Sequence, residues 1–411
     1  MKRPRLLDNK VTSAIQNGTP QIVKTILRDE SISGKLIVGF AILALVIVNS
    51  PLGSQYEAVW KTVFTIGVDP FVISQDLRHW VNEGLMAFFF LVVGLEIKRE
   101  ITSGELRKPK QAALPIAAAI GGMIVPAVIY LAFNIDPETI RGWGIPIATD
   151  IAFAVGVLSL LGNRVPISLK IFLLTLAIVD DIGAIFVIAL FYAEIINNYF
   201  LGASFALVIA IWLARKYLTT RIALFILLGT ILWVTTHLAG IHASIVGAVM
   251  GLLAPVAYTS HKKSVNKRLE EWFLPVSTFV ALPVFALANA GVVLSVDALV
   301  NPGAGSIMAG VILGLVAGKL IGVAGASWLM VKFGYSELPQ GTSWLHIIGV
   351  SLIAGIGFTV SIFITDLAFS DNHLLVDTAK ISIFIASGVA AIFGSLMLTL
   401  AWRGSRTSQN V

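Results

Sequence analysis

The sequence predicts an all-α integral membrane protein of about twelve transmembrane helices. Three observations carry this expectation. The 411 residues are 57% hydrophobic and only 13% charged, against roughly 45–50% apolar and about 25% charged in an ordinary soluble domain. The mean hydropathy is +0.88. Apolar runs of about 20 residues, the length that crosses a bilayer, cover nearly the whole chain.

The runs lie near 33–52, 79–98, 112–134, 144–162, 167–193, 199–217, 221–238, 240–257, 272–294, 304–331, 344–368 and 379–402. The first follows a basic, polar N-terminal segment, 1–32, and the last precedes a short tail, 403–411. The leader is too long for a signal peptide, and many more spans follow it. Residues 12–30 carry Ile15, Ile22, Val23 and Ile26 on one side, the pattern of an amphipathic surface helix. The longest connection, 53–78, is polar and aromatic around Gln55, Tyr56, Glu57 and Trp60, and reads as a small surface hairpin. The remaining connections leave no room for a soluble domain, so residues 33–402 form one membrane domain.

Basic residues alternate between connections. Twenty-four of the 29 fall in the N-terminal segment, every second loop and the tail. The intervening loops hold only Lys61, Arg78, Arg141 and Lys380. By the positive-inside rule, both termini are cytoplasmic and the number of spans is even. The net charge of +6 is thus a matter of topology, and no nucleic-acid partner is implied. With no cysteine, thiol chemistry and disulfides are excluded.

Ionisable groups at bilayer depth are costly and mark function. Asp150, Asp180, Asp181 and Lys319 stand out. Neighbours on a helix point about 100° apart, so one aspartate of the pair can face Lys319 while the other lines a cavity. Adjacent carboxylates in a low dielectric titrate as one coupled unit. Such a unit can exchange protons for a small hard cation. Two spans look broken. The fourth has Pro146 and Thr149-Asp150 in mid-run, and the eleventh has Gly355 and Gly357. Interrupted helices are tolerated beside a cavity or protein, and their dipole ends favour ions. Close helix packing is the plainer reading of the two glycines. The breaks occupy corresponding places in spans three to five and ten to twelve, as in inverted three-helix repeats.

The stretches Ala148–Ala154, Val179–Ile182, Gly94–Glu100, Leu287–Gly291 and Gly355–Ser361 resemble the NhaA family of bacterial sodium/proton antiporters, in order along the chain. The resemblance implies two discontinuous helices crossing at mid-membrane within inverted repeats. It makes Asp181 the principal sodium and proton carboxylate, with Asp180 its partner in a salt bridge to Lys319. Thr149 would help ligate the ion. Asp150 and Lys319 would compensate the positive and negative helix ends. It implies electrogenic export of Na+ or Li+ against inward H+, by alternating access, with activation at alkaline pH. That activity serves pH homeostasis and salt tolerance in the inner membrane, with no cofactor. Glu96, Arg99, Lys267, Arg268 and Glu270 match the family's pH-response region, and His242 a position linked to it. A hydrogen-bonded helix end is the plainer reading of His242. The 53–78 loop corresponds to a dimer-forming hairpin, so a homodimer is expected, in contact with membrane lipid.

Rival functions fit less well. An intramembrane aspartyl protease needs its aspartates on different helices, so no enzyme is expected. A channel needs an open polar path. A sodium-coupled solute symporter of the same fold is the alternative, separable only by a substrate pocket.

Overall fold

On one face of the helix Pro109–Phe133, Ile120, Ile124, Val128 and Leu131 are exposed at three- and four-residue spacing. On the other, Ala118, Ala119, Gly122 and Pro126 are buried. A water-soluble helix would put polar residues on the exposed face. Here both faces are apolar, so one meets lipid and the other protein. The small residues on the protein face set how near the neighbours come.

The structure is a computed structural model and describes residues 30–68, 71–193, 197–255, 265–294, 300–370 and 372–407. Its elements are α1 (Glu30–Val48), α2 (Gly53–Trp60), β1 (Val63–Val68), β2 (Phe71–Asp76), α3 (Leu77–Ser103), α4 (Pro109–Phe133) and α5 (Ile151–Leu161). Then come α6 (Ile167–Phe191), α7 (Asn198–Leu218), α8 (Ile222–Leu238), α9 (Ile245–Leu253) and α10 (Val265–Asn289). The last are α11 (Ala304–Lys332), α12 (Trp344–Ile353), α13 (Phe358–Ala368) and α14 (His373–Thr407).

Among the described residues, eight helical segments are long and apolar enough to cross a membrane, or ten if two bent pairs each count as one span. One pair is α12 and α13, bent by 45°. The other is residues 32–48 with α2, bent by 117°. A bend so sharp turns α2 across the axis of α1. The remaining two predicted runs are shorter: α8 has 17 residues and α9 only nine. The expected eighth span, 240–257, is thus mostly non-helical at its start, where Gly240 takes a positive φ of 79°. The proposed surface helix over 12–30 lies outside the described residues.

The fold is predominantly helical but not purely so. Residues 55–60, read as part of a hairpin, form most of α2. The hairpin follows, with β1 and β2 antiparallel in a register from Val63↔Asp76 to Val68↔Phe71. Trp80 Nε1 donates to Phe64 O and ties it to α3.

Two close helix pairs brace the bundle. On α3, a Cβ at Gly94 would strike the Ala248 carbonyl of α9, and one at Gly247 the Ala87 carbonyl of α3. Gly121 of α4 and Gly322 of α11 exclude each other's Cβ in the same way. Without side chains between them the backbones touch, which is how apolar helices associate in lipid. The α4–α11 contact also brings Lys319 beside Gly122, where a Cβ would lie 3.9 Å from Nζ.

One end of the bundle carries the hairpin, the start of α3 and the end of α10. The other carries the end of α3 and the start of α10, joined by Arg99 and Glu270. Arg164 lies 5.6 Å over the Trp402 ring at this second, basic end.

Candidate functional site

The two interrupted spans bond to each other where each is broken. A 3-10 stretch, Ile140–Ile147, containing Pro146, gives way to extended backbone at Ala148 and Asp150 before α5 starts. Between α12 and α13 the chain runs unwound through Gly355 and Gly357. A Cβ on Gly355 would strike the Leu315 carbonyl. Gly357 similarly has the Ser361 hydroxyl against it. These glycines lie in a break, and the break is tightly packed.

Unwound backbone leaves orphan donors and acceptors, and here each break serves the other. Asp150 N donates to Ile356 O at 2.6 Å. Ser361 Oγ donates to Ile145 O at 2.7 Å. One Asp150 oxygen accepts from Phe153 N, capping α5. The other accepts from the backbone N and hydroxyl of Thr359, at the start of α13. One buried carboxylate thus sits on two helix N-termini, where the dipole favours negative charge.

Lys319 occupies the complementary position. Its Nζ donates to Ile147 O, at the C-terminal end of the 3-10 stretch, at 2.6 Å. It also donates to Thr149 Oγ1 at 3.0 Å and to Asp180 Oδ2. Thr149 Oγ1 lies 2.6 Å from Asp180 Oδ2 and 2.7 Å from Ala354 O, and its single hydrogen serves one at a time. A π turn, Gly314–Gly318, immediately precedes Lys319. Such turns re-aim the residues after them and recur at functional sites.

Asp180 and Asp181 sit side by side in mid-α6, 1% and 3% exposed. Asp180 faces the lysine. Asp181 Oδ2 and Asp180 Oδ1 are buried with no hydrogen-bond partner among the described residues. Unclaimed, acceptor-only oxygens are the donors a hard cation takes, and a proton satisfies the same atoms. All five predicted core residues, Thr149, Asp150, Asp180, Asp181 and Lys319, are therefore brought together.

The predicted mouth residues divide. A cavity of about 250 Å³ opens at the basic end, lined by Glu96, Arg99, Glu100 and Glu105 at its rim and by Thr175 and Ile178 of α6 deeper in. Arg99 Nη1 holds Glu270 at 2.7 Å. Lys267 lies on the same helix as Glu270, while Arg268 lies 5.4 Å over the Trp272 ring. His242 stands apart. It lies 3.6 Å from Glu83, as does His237 at 2.8 Å. Glu83 is thirteen residues before Glu96 on α3, about 20 Å along the axis.

Sequence reading missed four polar residues. Glu83 and Asp366 fall inside predicted spans, so their signal was present. Lys380 was assigned to a loop and instead lies in α14, 5% exposed, with Asp366 Oδ1 at 2.7 Å. Thr359 stands in a quoted motif but gained its role only from the crossing.

The family profile described as Na+/H+ antiporter 1 matches residues 24–398. The chain belongs to this antiporter family. It is 43% identical over 396 residues to the Na(+)/H(+) antiporter NhaA 1 of Clostridium beijerinckii, covering 96% of this chain and 98% of that one. It is 44% identical over 402 residues to the Na(+)/H(+) antiporter NhaA of Rhodospirillum rubrum, covering 94% and 99%. With the NhaA of Vibrio vulnificus the identity is 43% over 380 residues, covering 92% and 95%. These relatives are named as transporters rather than enzymes. Membership of this family accounts for a multi-pass membrane chain.

Proposed function

We propose that this protein is a sodium/proton antiporter that exports Na+, and Li+ with it, in exchange for inward H+. The observation that carries the reading is the unclaimed Asp181 carboxylate beside the Asp180–Lys319 pair, at the crossing of two interrupted helices. A proton and a sodium ion compete for the same oxygens, so one leaves as the other binds. When sodium binds, Asp180 is drawn from Lys319 toward the ion, and Lys319 keeps the Ile147 carbonyl. When a proton neutralises Asp181, Asp180 returns to Lys319. Thr149 bridges the two arrangements, since its hydroxyl reaches both Asp180 and the Ala354 carbonyl. Asp150 holds the two half-helices together throughout.

Alternating access then exposes the site first to one end and then to the other. The cavity at the basic end, rimmed by three glutamates, favours cation entry there. The basic-loop alternation orients that end, with both termini, to the cytoplasm of a bacterial inner membrane. The twelve-span count adds α1, α8, α9 and the α12–α13 pair to the eight long segments, and it makes the two broken regions members of inverted repeats. Lys319 carries a second proton when it pairs with Asp180 and gives it up when sodium draws Asp180 away, so two protons exchange for one sodium and the exchange is electrogenic. Competition also explains activation at alkaline pH, because protons then vacate the site. Glu96, Arg99, Lys267, Arg268 and Glu270 at the mouth, and His242 near the other end, adjust that response. Homodimers form through the exposed hairpin, whose edge and side chains Val63, Phe64 and Ile66 are solvent-accessible.

Inside-out vesicles carrying a preset proton gradient test the reading. Adding sodium should dissipate the gradient. Dissipation that requires an organic solute instead would replace antiport with symport.

A further inference from the structure

A second group of charges lies at the hairpin end, away from the crossing, with Lys380 buried and the others part-buried. It draws on four elements: Glu57 of α2, Arg78 at the start of α3, Asp366 of α13 and Lys380 of α14. They form two pairs. Arg78 Nη2 donates to Glu57 Oε1 at 2.8 Å, and Lys380 Nζ lies 2.7 Å from Asp366 Oδ1. Each pair leaves one atom unclaimed. Arg78 Nε and Asp366 Oδ2 are both buried with no hydrogen-bond partner among the described residues. One is a donor and the other an acceptor, and the two side chains lie within electrostatic reach of each other. Asp377, also on α14, lies within reach of Arg78, Glu57 and Lys380.

Buried polar atoms are normally satisfied, and exceptions call for a reason. A guanidinium presents its donors as a planar fork, so it can hold one carboxylate at Nη2 and another at Nε. Joined in that way, the four groups alternate in sign along Glu57, Arg78, Asp366 and Lys380. The junction matters mechanically because α13 is a half-helix. Its first turn holds Asp150 through Thr359, and Asp366 is seven residues further on, about 10 Å along the same rod. A pull on Asp366 is therefore felt at the crossing.

We propose that Arg78 and Asp366 form a latch. In one state of the transport cycle Asp366 keeps Lys380 on one oxygen and takes Arg78 Nε on the other, tying α13 to α3. In the other state, the one seen here, the two pairs stand apart. The latch rests on the transport reading above. It adds Arg78, Asp366 and Lys380 as positioning residues that act through α13 on the ion site.

The chain has no cysteine of its own, so a disulfide can report the distance between these positions. The full-length Arg78→Cys/Asp366→Cys variant is reconstituted in liposomes and oxidised with copper phenanthroline. Cross-linking yield should differ by about threefold or more between sodium at alkaline pH and sodium-free acidic buffer, the sign of a shift in population between the two states. Adding Asp181→Asn should abolish that difference. Equal yields in the two buffers would overturn the latch. Two further variants guard against simple misfolding, with insertion scored by size exclusion. Arg78→Lys keeps the charge but lacks the second edge, and should insert normally while slowing exchange by about tenfold, or some 1.4 kcal/mol. The swap Arg78→Asp/Asp366→Arg should exchange faster than either single change. A native rate for Arg78→Lys, or a swap no better than the singles, contradicts the proposal. Should the native chain itself fail to exchange sodium for protons, the transport reading falls, and the cross-linking yields still judge the latch alone.

Discussion

Lys319 Nζ donates to Asp180 Oδ2 between α11 and α6, and both side chains are fully buried. A buried pair depends on both members. Removing one leaves the other charged and dry, at a cost of about 3–5 kcal/mol, whereas replacing both by apolar groups is often neutral. Lys319→Met is therefore expected to lower the thermal unfolding midpoint in detergent markedly. Lys319→Met combined with Asp180→Leu should recover most of that loss. A double variant no more stable than the single would contradict a direct pair.

Thr149 joins three partners through one oxygen. Thr149→Val keeps the shape and removes the hydroxyl, leaving the Ala354 carbonyl and one Lys319 proton without it. Stranding such groups costs about 1–3 kcal/mol. Sodium affinity, read as the half-saturating concentration for proton release, should weaken, while Thr149→Ser should retain most of it.

Asp150 acts as a double cap. Asp150→Asn preserves an acceptor for Phe153 N and Thr359 but loses the charge facing two helix dipoles. Asp150→Ala loses the cap as well, about 0.5–2 kcal/mol more. The stability order native, Asn, Ala follows, checked by thermal unfolding. An alanine variant as stable as the native chain would mean that the two breaks are held by backbone bonds alone.

Much of the crossing was legible in the sequence because charge is rare in apolar runs. Asp150, Asp180, Asp181 and Lys319 stand out against Leu, Ile and Val, and Pro146 with Gly355 and Gly357 mark the breaks. What pairs with what was less legible. The 100° step between Asp180 and Asp181 required that they diverge, but only the packing of α6 against α4 and α11 decided which one met the lysine. The Ile147 and Ala354 carbonyls leave no trace in side-chain chemistry. Lys380 was misplaced for a related reason. It lies near the start of its run, where a solvated loop and a buried helical turn have the same composition, and only Asp366 on the preceding helix separates the two.

Gly247 sets the approach of α9 to α3, since an added Cβ would strike the Ala87 carbonyl. Gly247→Val should cost about 1–3 kcal/mol as overpacking. It should also displace the end of α3 that carries Glu96 and Arg99. A lower unfolding midpoint is expected, and an unchanged one would mean that the two helices part without cost.

The central claim is that a single carboxylate, Asp181, is contested by sodium and protons. Sodium-dependent proton release from inside-out vesicles, compared between the native chain and Asp181→Asn, tests it most directly. The account predicts release by the native chain, a weaker apparent sodium affinity as pH falls, and no sodium-dependent release by the variant. Full release by Asp181→Asn would contradict it.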